Sequence, residues 1–157
     1  LDTNILIWGI KRQASSGQEN MILKARHLIR TLEEDRINVI IPSLVLAELL
    51  MPIESRDYGD FLAKMNKRFM IAPFDTQAAM HYATLWKQWR EQTTQSSSEK
   101  QTQPTRTKMK TDFMIVATAI SRKAECIYSQ DTDIIKFSKG HVDVRGLPPV
   151  FHQGSLI

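Results

Sequence analysis

The chain has 157 residues, 42% hydrophobic and 24% charged, which is enough for one domain with a true core and too ordinary a balance for a disordered chain. Its single cysteine, Cys126, excludes a disulfide framework and a cysteine-built zinc site, and no apolar run approaches the roughly 20 residues that cross a bilayer. Lys and Arg total 21 against 17 acids, a net charge of +4, and a basic balance of this kind suits a polyanionic partner.

The opening Leu1-Asp2-Thr3-Asn4 has no basic stretch and no cleavage site, so no signal peptide is expected and the cytoplasm is the expected compartment. It lacks a starting methionine, which predicts residues ahead of Leu1. Asp2 stands where a first strand would turn into the apolar run Ile5-Leu6-Ile7-Trp8. Residues 19–34 place Met21, Ala25, Leu28, Ile29 and Leu32 at helical spacing with basic residues between them. Asn38 to Pro42 reads as a short buried strand, and Ser43 can cap a helix that Pro52 stops. Residues 56–67 predict another helix and Phe69 to Pro73 another strand. Asp75 can cap a long helix through Trp89, with Ala79, Tyr82 or Ala83, and Trp86 on one face. Residues 91–111 are polar apart from Met109, so a flexible insertion is expected at about 93–107. It interrupts a single domain spanning 1–150, and 151–157 read as a tail. A helix over 108–123, a strand over Cys126–Ser129 and a last strand through Val142–Val144 complete the pattern. Short apolar strands separated by helices predict an α/β fold, a three-layer α/β/α sandwich around a mainly parallel sheet.

Four acids stand apart from those on helix surfaces. Asp2, Glu48 and Asp131 each follow a predicted strand, and in a parallel sheet such positions meet at the carboxyl edge, where open α/β sheets bind ligands. Asp112 precedes Ile115, Val116 and Ala119 by three, four and seven residues, so it points along an apolar helix face. Glu48 shares its face with Leu44, Val45 and Met51. Acids placed so require protonation, a basic partner or a metal. Taken singly each has an ordinary explanation as a cap or a first-turn acid. Together they can hold a hard divalent cation through oxygen ligands. Glycine-rich phosphate loops are missing, and His27, His81, His141 and His152 form no zinc-protease motif. Cys126 reads as a small core residue, and Trp8, Trp86 and Trp89 as core or interface residues rather than base-stacking ones.

Leu-Asp-Thr-Asn at 1–4, Ser-Leu-Val-Leu-Ala-Glu at 43–48, Thr-Asp-Phe-Met-Ile-Val-Ala-Thr-Ala at 111–119 and Ile-Tyr-Ser-Gln-Asp-Thr-Asp at 127–133 resemble, in that order, the motifs of the PIN-domain nucleases. The resemblance is closest to the toxin branch, the ribonuclease halves of VapBC-type toxin–antitoxin pairs. It implies a parallel sheet of about five strands, a Mg²⁺- or Mn²⁺-dependent site, frequent homodimers and an antitoxin partner. It also implies that Asp2, Glu48, Asp112 and Asp131 form the acidic quartet; either Asp131 alone or Asp133 as well then serves the metal. RNA is then the substrate, with Thr3, Asn4 and Ser129 available to position water or phosphate. Arg106, Lys108 and Lys110 are candidates for phosphate contacts. Two other readings compete. One is a PIN-like module that binds RNA or protein with little catalysis. The other is a metal-dependent phosphohydrolase of small molecules, suggested by Asp131-Thr132-Asp133, although that motif should follow an initial strand and here it comes late.

Overall fold

A computed structural model describes residues 1–95 and 106–150; the tail at 151–157 and most of the expected insertion lie outside the described residues. The chain opens with a short helix α1 (Thr3–Leu6) that widens into a π-helical turn over Ile7–Lys11. Arg12, in the left-handed region at φ 56°, ends that turn. Gly9 lets this turn lie close against the next helix: a Cβ at this position would stand 2.4 Å from Ile29 Cδ1, so the end of that side chain would have to shift. That helix, α2 (Glu19–Glu34), buries Ala25, Leu28, Ile29 and Leu32, the stripe its spacing predicts. Strand β1 (Ile40–Pro42) leads directly into α3 (Ser43–Leu50). Pro42, not Ser43, occupies the cap position and no side chain caps the helix, since the proline ends the strand with no turn left for a capping residue.

After a single 3₁₀ turn at Ser55–Asp57, α4 (Tyr58–Arg68) carries the chain to β2 (Met70–Ala72). The long helix α5 (Thr76–Gln95) begins as expected, with the Ala78 amide donating to Asp75 Oδ1 at 3.0 Å. Its buried stripe is Ala78, Tyr82, Leu85, Trp86 and Trp89, while Ala79 and Ala83 face solvent. The aromatic rings decide this rotation, because they carry more apolar area than the alanines. Helix α5 continues past Trp89 to Gln95, and α6 (Arg106–Ser121) begins earlier than its pattern suggests, so both ends of the polar stretch are helical. Strand β3 (Cys126–Tyr128), α7 (Thr132–Ser138) and β4 (Asp143–Arg145) follow.

The sheet differs from the expected five strands. Among the described residues it consists of two parallel pairs, β1 with β2 and β3 with β4, each in three-residue register. Between them lie Leu1 and Asp2. The Leu1 nitrogen donates to the Ile40 carbonyl at 2.9 Å and the Asp2 amide to the Tyr128 carbonyl at 3.1 Å. One bond on each side joins the two pairs but is too little to make a strand ladder. Helix α6 packs against β1, β3, α3, α5 and α7, and so runs through the middle of the core.

An aromatic cluster locks three helices together. Phe113 of α6 stacks on Phe137 of α7 with ring centroids 4.1 Å apart, and meets Trp86 edge-on at 5.5 Å and Trp89 at 6.1 Å. Trp8 is buried as well, so all three tryptophans belong to the core or its margin. Phe113 is 1% exposed, so Phe113→Ala should cost about 3–5 kcal/mol of unfolding free energy, measured by urea denaturation. A loss below about 1 kcal/mol would show that the cluster does not hold α5, α6 and α7 together.

Candidate metal centre

The bond between the Asp2 amide and Tyr128 fixes Asp2 beside the carboxyl end of β3. A short chain of hydrogen bonds then spreads from its carboxylate. Oδ1 accepts from the Thr3 amide at 2.7 Å and Oδ2 from the Ser129 hydroxyl at 2.7 Å. The same hydroxyl accepts from the Asp131 amide at 3.0 Å, and Asp131 Oδ1 accepts from the Asp133 amide at 2.8 Å. Asp131 is thereby the cap of α7, and its carboxylate is oriented by the backbone it caps. Ser129 is 1% exposed and its hydroxyl bonds to Asp2 and Asp131, so it orders carboxylates instead of facing a substrate.

Asp112 comes from α6 and is 8% exposed, on the apolar face its spacing predicts. Oxygens of Asp112, Asp131 and Asp133 all lie within 4.8 Å of one another. Among them sits the ammonium of Lys108, 2.8 Å from Asp133 Oδ2, 2.9 Å from Asp131 Oδ2 and 3.4 Å from Asp112 Oδ2. The Lys108 ammonium, expected at a phosphate, is thus turned toward three carboxylates, although its side chain stays 46% exposed. Burial pushes the Asp112 carboxyl up to about 7; the charges of Asp131 and Asp133 add to that, and Lys108 offsets part of it. Burial raises Asp2 as well, against the hydrogen bonds from Ser129 and Thr3. For Lys108, burial works against the charged form, but the bonds to Asp133 and Asp131 and the charge of Asp112 outweigh it and raise its pKa.

The remaining predicted residues lie around this trio. Asp2 is close enough to Asp131 for their charges to interact, but it does not share the 4.8 Å cluster. Glu48, half-buried on α3, accepts a hydrogen bond from the Thr3 hydroxyl and also stands outside it. Met51, expected on the face of Glu48, is 80% exposed. Asn4 is exposed and lines a cavity of about 330 Å³ together with Gln18, Lys108, Gln130, Asp131 and Asp133. Lys110 is exposed on α6, and the Arg106 side chain lies outside the described residues. A larger cavity, about 460 Å³, is lined by residues of α2, β1 and β3 such as Leu28, Ile40 and Ile127, and by none of the five candidate acids. Sequence reasoning missed the inward turn of Lys108. The four-residue spacing from Asp112 gives only a partial signal, since the two shorter contacts run to Asp131 and Asp133, more than twenty residues away.

The donor set fits a hard divalent cation. Such ions take several oxygen ligands at roughly 2.0–2.6 Å, and three carboxylates this close can meet at one ion. The ammonium already drawn into the same space shows that it favours positive charge.

The family model for the PIN domain matches residues 1–140. No curated protein matches the chain. Among solved structures, the crystal structure of VapBC2 from Rickettsia felis, bound to a DNA fragment from their promoter, contains a chain of similar fold. The TM-score is 0.61 at 18% identity, over 93% of this chain and 96% of that one.

Stability without metal should depend on pH through Asp112. Its pKa rises from the ordinary 3.8 when unfolded to about 7 when folded, so the folded state holds its proton more tightly. The stability this contributes is full below pH 4 or so and is lost as pH rises through about 7. Asp2, also raised, acts in the same direction; Asp75, lowered by the Ala78 amide and Arg122, acts in the opposite one. The difference between wild type and Asp112→Asn isolates the first effect. In EDTA, wild type should lose ground to the variant from pH 5 to pH 8, by about 1 kcal/mol or more. A pH-independent difference in urea melts would show that Asp112 ionises like a surface acid.

Proposed function

The chain belongs to the PIN-domain family, and from that premise we propose that it is a Mg²⁺- or Mn²⁺-dependent endoribonuclease, the toxin of a type II toxin–antitoxin pair. The convergence of Asp112, Asp131 and Asp133 carries this reading. A surface cluster of acids would be spread apart by its own repulsion; this one is drawn together by α6 and the β3–α7 turn. When bound, a divalent ion supplies Lewis acidity and charge neutralisation to phosphodiester hydrolysis.

The chain's own residues divide the rest of the work. Asp112, Asp131 and Asp133 hold the ion. Asp2 orients Asp131 through the shared Ser129 hydroxyl and adds negative charge beside it. Glu48, anchored by Thr3, serves the attacking water or a second ion. Asn4, at the rim of the 330 Å³ cavity, contacts the phosphodiester, and Lys110 with Arg106 on α6 meets the flanking backbone. The basic surplus of the chain favours a polyanionic substrate. An antitoxin and a second copy of the chain belong to the same proposal. Large apolar side chains left in solvent, such as Met51 at 80% and Met80 at 68% exposure, offer them contact area. No helix among the described residues is long and apolar enough to cross a membrane. The proposal places the protein in the cytoplasm, as one domain over 1–150.

The purified protein should cut single-stranded RNA in Mn²⁺, and EDTA should stop it. Asp112→Asn should lower the rate by roughly 100-fold or more while the variant stays folded. Cleavage that survives chelation would remove the metal from the mechanism. Equal cleavage of single-stranded DNA would remove the preference for RNA.

A further inference from the structure

Lys108 lies on α6 one turn ahead of Asp112, with its side chain 46% exposed. A lysine so placed has ample access to water, yet its ammonium turns inward to Asp112, Asp131 and Asp133. The helix itself does not explain this. A lysine four residues before an acid is the weaker of the two orders on a helix surface. The two shorter bonds run instead to Asp131 and Asp133, more than twenty residues away in the chain. Those are the oxygens that a divalent ion would need.

We propose that Lys108 is a built-in competitor of the metal: its ammonium occupies the ion's place, and the ion enters by displacing it. This rests on the reading of the trio as a metal centre. An ammonium 2.8–2.9 Å from two carboxylate oxygens leaves no room for an ion that must approach the same oxygens at roughly 2.0–2.6 Å. The four-carbon stem is half in solvent, so the side chain has somewhere to go. The competition holds the ion's affinity down and keeps the carboxylates compensated when metal is scarce.

Calorimetric titration of the metal-stripped protein with Mn²⁺ tests this, using wild type, Lys108→Met and Lys110→Met. An opposite charge at this range alters a carboxylate's behaviour by roughly tenfold or more, so Lys108→Met should bind Mn²⁺ about tenfold more tightly. Lys110→Met, exposed on the same helix, should match wild type. Equal or weaker binding by Lys108→Met overturns the proposal and leaves the metal centre standing. If neither protein binds Mn²⁺, both readings fall. A second measurement needs no variant. Acetylation by an amine-reactive ester, followed by mass spectrometry, should be slow at Lys108 in EDTA and speed up several-fold in Mn²⁺, while Lys110 stays constant. Labelling of Lys108 that does not respond to Mn²⁺ also overturns the proposal.

Discussion

Like charge held at close range is the constraint on which this structure turns. Carboxylate oxygens of Asp112, Asp131 and Asp133 lie within 4.8 Å of one another, with Asp2 close by. In water such groups would move apart, and the backbone prevents it. Asp131 is bound to the start of α7 as its cap, Asp2 is tied to β3 through the Tyr128 carbonyl, and Asp112 is set on the central helix α6. None of these anchors can relax without breaking a backbone bond or exposing core. The repulsion is relieved locally instead, by hydrogen bonds from Ser129, Thr3 and Asp133, by the Lys108 ammonium, and by a proton retained on Asp112 up to neutral pH.

Backbone pairing explains why Asp2 and Asp131 meet: the Asp2 amide bonds to the carboxyl end of β3, just ahead of Asp131. Strands that run the same way deliver their carboxyl ends to one edge, and the turns leaving that edge start helices. A turn into a helix wants an acid or hydroxyl to satisfy its first amides. Asp2 and Asp131 fill that structural role and bring negative charge to the edge at the same time. Capping and ligation draw on different oxygens of Asp131: Oδ1 receives the Asp133 amide, while Oδ2 faces the ammonium. One carboxylate thus serves fold and site together.

Much of this was legible in the sequence. The helical stripe over 19–34, the Asp75 cap and the inward-facing Asp112 all follow from spacing and appear in the structure. Three features were not legible, each for a physical reason. The rotation of α5 depends on where Trp86 and Trp89 find partners, and those partners, Phe113 and Phe137, lie far along the chain. The extent of α5 and α6 into the polar stretch escapes any hydrophobic pattern, because helices can form from polar residues once their neighbours are anchored. The inward turn of Lys108 depends on Asp131 and Asp133 as much as on its helix neighbour. Sequence reasoning held that buried acids need a proton, a base or a metal. In the structure a raised carboxyl pKa at Asp112 and a basic partner, Lys108, stand together.

The placement of the aromatic cluster beside the acids gives the arrangement its rigidity. Phe113 follows Asp112 directly on α6, and Phe137 lies one helical turn beyond Asp133 on α7. The stacking of these two rings, 4.1 Å apart, therefore sets how far Asp112 stands from Asp133. Aromatic pairs contribute about 0.5–1.5 kcal/mol beyond the burial of their area, and burying a phenylalanine contributes about 1.5–3 kcal/mol more. Those gains are of the size needed to hold a few partly compensated charges together. Helices α6 and α7 are thus joined twice, by the Phe113–Phe137 stack and by the Lys108 contacts to Asp131 and Asp133. The Lys108 ammonium and the aromatic stack hold the same two helices together, so core packing and the charge of the site stabilise one another.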